Sequence, residues 1–90
     1  MFTIGVLASG KGTNLQAIID YIKEENLKIK IGVVISDNPS AFALERAKKE
    51  GIKAICIPCE KYKTILDKKT EIKYIEVLKE NNVELVCLAG

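Results

Sequence analysis

The sequence predicts an α/β fold, a Rossmann-like parallel sheet with its elements in the order βαβαβαβ. Two observations carry that expectation. Four short runs are almost continuously apolar: FTIGVLA at 2–8, IKIGVVIS at 29–36, AICI at 54–57 and VELVCLA at 83–89. Runs of this kind mark strands covered on both faces. The segments between the runs place apolar residues at helical spacing, and such alternation argues a parallel sheet with right-handed helical crossovers packed on its faces.

Each element has its own signal. The first strand is Phe2 to Ala8. From Asn14 to Ile22, the residues Leu15, Ile18, Ile19 and Ile22 fall at i, i+3, i+4 and i+7, one face of a helix. The second strand, Ile29 to Ser36, runs into Asp37-Asn38-Pro39, which reads as a turn with Asn38 as helix cap and Pro39 at the first helical position. Ala41 to Glu50 is a short helix that Gly51 is placed to end. Ala54 to Ile57 is a short third strand, and Glu60 to Lys69 is a polar, lysine-rich loop. Thr70 to Asn81 carries Ile72, Ile75 and Leu78 on one side of a third helix, and Val83 to Ala89 is the fourth strand. Gly90 follows that strand directly, so residues 1–90 read as the N-terminal half of a larger domain, with the last strand left partly uncovered and prone to self-association.

Composition narrows the function classes. The formal charge of +2 is too small to mark a nucleic-acid surface, and Arg46 is the only arginine among 14 basic residues. Aromatics at 6% are too sparse for a base-stacking platform. No apolar run approaches the ~18–20 residues of a membrane span, and the first residues open straight into a strand, so a cytoplasmic setting is expected. The chain has no histidine, so proton shuttling by imidazole, a catalytic triad or a histidine-based zinc site cannot be built from these residues alone.

The stretch LASGKGTN, Leu7 to Asn14, sits at a strand-to-helix turn and invites a phosphate. A Walker A reading begins at Gly5 and reaches Gly10-Lys11, then fails, because Gly12 stands where a magnesium-ligating Ser or Thr belongs. A dinucleotide fingerprint needs a third glycine where Leu15 stands, although Asp37 ends the second strand where such folds place a ribose-binding acid. A plain anion nest meets no such objection. Gly10 and Gly12 can take positive φ and let backbone approach a ligand, and the first helical turn offers unpaired N–H groups at the positive end of the dipole. Thr13 adds a hydroxyl, and Asn14 can cap the helix or touch the ligand. A ligand-free turn capped by Thr13 or Asn14 is the competing reading.

The stretch Ser9-Gly10-Lys11-Gly12-Thr13-Asn14-Leu15-Gln16-Ala17-Ile18 resembles the opening of the phosphoribosylglycinamide formyltransferase family, whose pattern is close to S-G-x-G-[ST]-N-L-Q-A. Ser36 to Ala47 and Val83 to Gly90 agree with the same family, in the right order and at the right intervals. The resemblance implies formyl transfer from 10-formyltetrahydrofolate, as co-substrate, to the amine of glycinamide ribonucleotide in purine biosynthesis. It implies that Gly12, Thr13 and Asn14 bind the substrate phosphate without a metal. It places no catalytic residue here, since the family's Asn, His and Asp lie downstream, and 90 residues alone are expected to be inactive. A folate contact maps loosely onto Lys68 or Lys69, which otherwise read as solvated lysines. Nucleic acid and membrane are not expected partners.

Two other readings stay open: a non-catalytic nucleotide-phosphate-binding module, and an NAD-binding fragment of a dehydrogenase. Cys56-Ile57-Pro58-Cys59 has the spacing of a redox motif but continues a strand instead of opening a helix, so its cysteines read as small apolar residues.

Overall fold

The computed structural model describes residues 1–58 and 68–89. The chain runs β1 (Phe2–Leu7), α1 (Thr13–Glu24), β2 (Ile29–Ser36), α2 (Phe42–Lys49), β3 (Ala54–Cys56), α3 (Lys68–Glu80) and β4 (Leu85–Leu88). The strands form one sheet in the order β3-β2-β1-β4, and every neighbouring pair is parallel. The α/β class and the element order are those expected.

Two apolar layers hold helices against the sheet. Ile4, Val6, Ile31 and Val34 pack with Leu15 and Ile19 of α1 and Ala43, Leu44 and Ala47 of α2. Val33, Ile35 and Ile57 pack with Tyr74, Val77 and Leu78 of α3. The β1–β2 register slips by one residue, pairing Ile4 with Ile31 but Gly5 with Val33, so Gly32 is the extra residue. α3 lies so close to β1 that a Cβ on Gly5 would stand 2.9 Å from Leu78 Cδ2. β4 is covered least: Leu85, Val86 and Leu88 are all exposed.

All three helices end alike. Asn26, Gly51 and Asn82 take positive φ. The apolar residue after each returns its N–H to the carbonyl five residues back: Leu27 to Ile22, Ile52 to Ala47 and Val83 to Leu78, at 2.9–3.0 Å. This is the Schellman closure, which satisfies helix-terminal carbonyls and tucks an apolar side chain against the helix.

The structure corrects several boundaries. The first helix starts at Thr13 and runs to Glu24, beyond the expected 14–22. Asn38 does not cap α2, and Pro39 is not in its first turn, because α2 starts at Phe42 with an extended Ala41 before it. Asn38 closes a turn of its own instead: Oδ1 accepts the Ser40 N–H at 3.0 Å and its carbonyl accepts the Ala41 N–H at 3.0 Å. Its own N–H donates to the buried Ser36 Oγ at 3.1 Å. Competition from such side-chain-to-backbone bonds delays the helix by a turn. α3 begins at Lys68, two residues early, and rolls from the expected face. Ile72 and Ile75 are exposed, and Tyr74, Val77 and Leu78 face the sheet. Residues 59–67, including Cys59 and most of the expected lysine-rich loop, lie outside the described residues, as does Gly90.

The turn from β1 into α1 is set by two glycines in different ways. Gly10 has φ 68° and Gly12 φ 73°. A Cβ on Gly10 would meet nothing within 4 Å, whereas one on Gly12 would stand 2.6 Å from Ala43 Cα. The close approach that Gly12 permits is therefore to the start of α2. Gly10→Ala should cost about 1 kcal/mol, the left-handed backbone term alone. Gly12→Ala should cost more, roughly 2–4 kcal/mol, because α2 must also shift. Urea midpoints of the two variants check this, and equal losses would remove the steric role of Ala43. Leu15, fully buried behind the same turn, should cost about 2–5 kcal/mol on truncation to Ala by the same measurement.

Candidate functional site

The sheet winds outward from β1 through β2 to β3, then returns to place β4 on the other side of β1. The carboxyl ends of β1 and β4 therefore flank the point where winding reverses, the usual ligand crevice of an open α/β sheet. Both ends are pinned. Ala8 donates its N–H to the Ile35 carbonyl at 2.9 Å, and Ala89 donates to the Leu7 carbonyl at 2.8 Å. Residues 9–12 follow the end of β1 and lead into α1.

Gly12 itself is the N-cap of α1, in left-handed geometry, and no side chain caps that end. The first intrahelical bond runs from the Gln16 N–H to the Gly12 carbonyl at 2.9 Å. The N–H groups of Thr13, Asn14 and Leu15 precede it and have no carbonyl of the helix to bond. No acidic residue sits in the first turn, so the positive dipole end is not offset from within the helix. Thr13 and Asn14 are exposed. The turn capped by Thr13 or Asn14 is thus not what forms: both side chains are left available at the helix mouth. That arrangement can receive a tetrahedral anion through backbone N–H groups and short polar side chains.

α2 supports the loop from behind. The Ala43 N–H donates to the Gly10 carbonyl at 3.3 Å. Arg46 Nε donates to the Lys11 carbonyl at 2.8 Å, and its Nη1 reaches Gln16 Oε1 at 3.4 Å. Gln16 Nε2 in turn donates to Asp20 Oδ1 at 3.0 Å. A Lys23–Glu50 ion pair ties the far ends of α1 and α2 together. Ala43 reads from the sequence as core packing, which its full burial bears out, and neither it nor Arg46 was expected to touch the loop. Arg46 had two signals, being the only arginine and lying inside the second family-like stretch, but neither says what it touches.

The competing motifs fare differently. Gly5 lies mid-strand under α3, not at the mouth of a phosphate loop. Leu15, which occupies the third-glycine position of a dinucleotide fingerprint, is fully buried in the α1–α2 layer. Asp37 is exposed just beyond β2. Cys56 is a free thiol in β3, packed against the core beside α2, and Cys87 in β4 is free as well. The side chains of Lys68 and Lys69 lie outside the described residues. Among the described residues no three His, Cys, Asp or Glu are gathered to hold a metal ion, and no helix is long and apolar enough to cross a membrane.

Known proteins are similar to this chain in sequence and in shape. The phosphoribosylglycinamide formyltransferase of Dictyostelium discoideum is 42% identical over 95 residues, covering 99% of this chain and 46% of that protein. The enzyme of the same name from Bacillus subtilis (strain 168) is 34% identical, covering 100% of this chain and 45% of its own length. The chain thus spans about half the length of these relatives. The crystal structure of glycinamide ribonucleotide transformylase 1 from Symbiobacterium toebii superposes with a TM-score of 0.86 at 42% identity, over 100% of this chain and 42% of that one. A family model described as formyl transferase matches residues 3–90, and this chain belongs to that family.

Proposed function

We propose that residues 1–90 form the acceptor-phosphate-binding part of a phosphoribosylglycinamide formyltransferase, a cytoplasmic enzyme of de novo purine biosynthesis. The reaction moves a formyl group from 10-formyltetrahydrofolate to the amine of glycinamide ribonucleotide. One observation carries the assignment: the open first turn of α1, capped by Gly12 and flanked by exposed Thr13 and Asn14, sits at the sheet's switch point. Gly12, Thr13 and Asn14 hold the ribonucleotide phosphate. Backbone N–H groups and the helix dipole supply the attraction, and no metal is needed. The names of the relatives support the substrate, and the family supports the transfer.

The chemistry divides the labour. The acceptor amine attacks the formyl carbon, an oxyanion forms, and the amine must lose a proton as the folate nitrogen leaves. Imidazole is the usual carrier of such a proton near neutral pH. This chain has no histidine, so its contribution is to bind and orient the acceptor. Positioning of this kind lowers the barrier by holding the amine where it can attack. Lys68 is kept as a folate contact. The exposed apolar side chains of β4 support self-association, and sedimentation of a single monomeric species would remove that part.

Calorimetric titration with glycinamide ribonucleotide in the presence of a chelator tests the phosphate site. Binding is expected, and Thr13→Val and Asn14→Leu should each weaken it roughly tenfold to a hundredfold, the worth of one hydrogen bond to a charged group. Asp37→Ala should leave it unchanged. Binding of NAD(H) that is lost on Asp37→Ala would replace this reading with the dehydrogenase one. In a formyl-transfer assay the 90-residue chain should show no turnover above background, and measurable turnover would contradict the division of labour.

A further inference from the structure

We propose that Arg46 is the positioning residue of the anion loop, an inference that rests on the phosphate-binding reading above. The first two of the three family-like stretches of the sequence meet at this side chain. Arg46 projects from α2 and its Nε donates to the Lys11 carbonyl at 2.8 Å, while Nη1 reaches Gln16 Oε1 at 3.4 Å. One turn earlier on the same helix, the Ala43 N–H holds the Gly10 carbonyl. Two consecutive loop carbonyls are therefore drawn toward α2.

The consequence follows from peptide geometry. In a trans peptide the C=O of one residue and the N–H of the next point in opposite directions. No cis peptide occurs among the described residues. Drawing the Gly10 and Lys11 carbonyls toward α2 turns the Lys11 and Gly12 N–H groups away from it. The Lys11 N–H then joins the free N–H groups of Thr13 and Asn14 at the loop-and-helix mouth, while the Gly12 N–H closes the turn over residues 9–12 toward the Ser9 carbonyl. Both glycines are needed for the same path, with φ 68° at Gly10 and 73° at Gly12. Successive N–H groups arranged around a turn make an anion-binding concavity.

Charge acts in the same direction. The guanidinium is held by a backbone carbonyl and a side-chain amide oxygen, both neutral. Among the described residues the only ion pair is Lys23–Glu50, so no carboxylate within salt-bridge distance offsets the charge of Arg46. A lysine could supply the charge but not a planar fork with fixed donors to two acceptors. The role is therefore geometric first and electrostatic second.

Amide spectra of the purified, isotope-labelled protein, titrated with inorganic phosphate, test this. In the parent, the amide signals of Lys11 to Asn14 should move on titration. Arg46→Met keeps the apolar stem and removes both donors. Without phosphate, the Lys11 and Gly12 signals should already be displaced and exchange faster with solvent, while those of Ile4, Val6 and Val34 in the sheet stay put. Phosphate affinity should fall roughly fivefold to tenfold, because a loop without its brace must be ordered on binding. Arg46→Lys should leave the loop signals displaced and recover only part of the affinity. Unchanged loop signals in Arg46→Met, or full recovery of signals and affinity in Arg46→Lys, would overturn the proposal. A parent that ignores phosphate while Arg46→Met still displaces the loop would sink the phosphate reading and leave the brace standing.

Discussion

Gly12 rests against the backbone of Ala43, and most of the candidate site depends on that contact. A side chain at Gly12 would fall 2.6 Å from Ala43 Cα, so the turn from β1 into α1 can sit this close to the start of α2 only with glycine there. The contact sets the spacing of the two helices on their face of the sheet. It also brings the Ala43 N–H and the Arg46 fork within reach of the loop carbonyls. Steric and conformational demands coincide at this residue, since φ is 73° as well. Contacts internal to the fold thus hold the path of the helix mouth. On the proposed reading, a loop held in this way spends less of the binding energy on its own ordering.

The rest of the structure holds that mouth still. β2 lies between β1 and β3, with Val33, Val34 and Ile35 sealed from solvent by helices on both sides. The extra residue at Gly32 shifts the β1–β2 register, and small Gly5 lets α3 press on β1. These are close packings on the face opposite the loop, and they fix the axis of the strand from which the loop departs. Weakness gathers at β4, whose side chains are the least covered of any strand.

Much of the fold was legible because its signals are local. The four apolar runs and the i, i+3, i+4, i+7 pattern at Leu15, Ile18, Ile19 and Ile22 each report burial directly. Gly10 and Gly12 were expected to take positive φ, and both do. What failed had competitors that local pattern does not rank. Asn38 could cap a helix or close a turn, and the neighbouring Ser36 hydroxyl decided for the turn. In α3, Ile72, Ile75 and Leu78 made an acceptable stripe, but so did Tyr74, Val77 and Leu78. The sheet took the second, in which Tyr74 also sends its hydroxyl to the Ile57 carbonyl at 3.4 Å. In the candidate site, Thr13 and Asn14 were visible as chemistry, whereas Ala43 and Arg46 were not. Their importance comes from a contact between residues some 30 positions apart, which no spacing in the sequence encodes.

On the proposed reading, the amide groups at the mouth of α1 receive the acceptor's phosphate without a bridging group. The decisive measurement is a crystal structure of the protein grown with glycinamide ribonucleotide and a chelator. Phosphate density is expected within hydrogen-bond reach of the Thr13 and Asn14 backbone N–H groups and the Thr13 hydroxyl, close against Gly12, with the loop path unchanged and no cation between. Density for the phosphate elsewhere, such as beside Asp37, with the mouth of α1 empty, would contradict it.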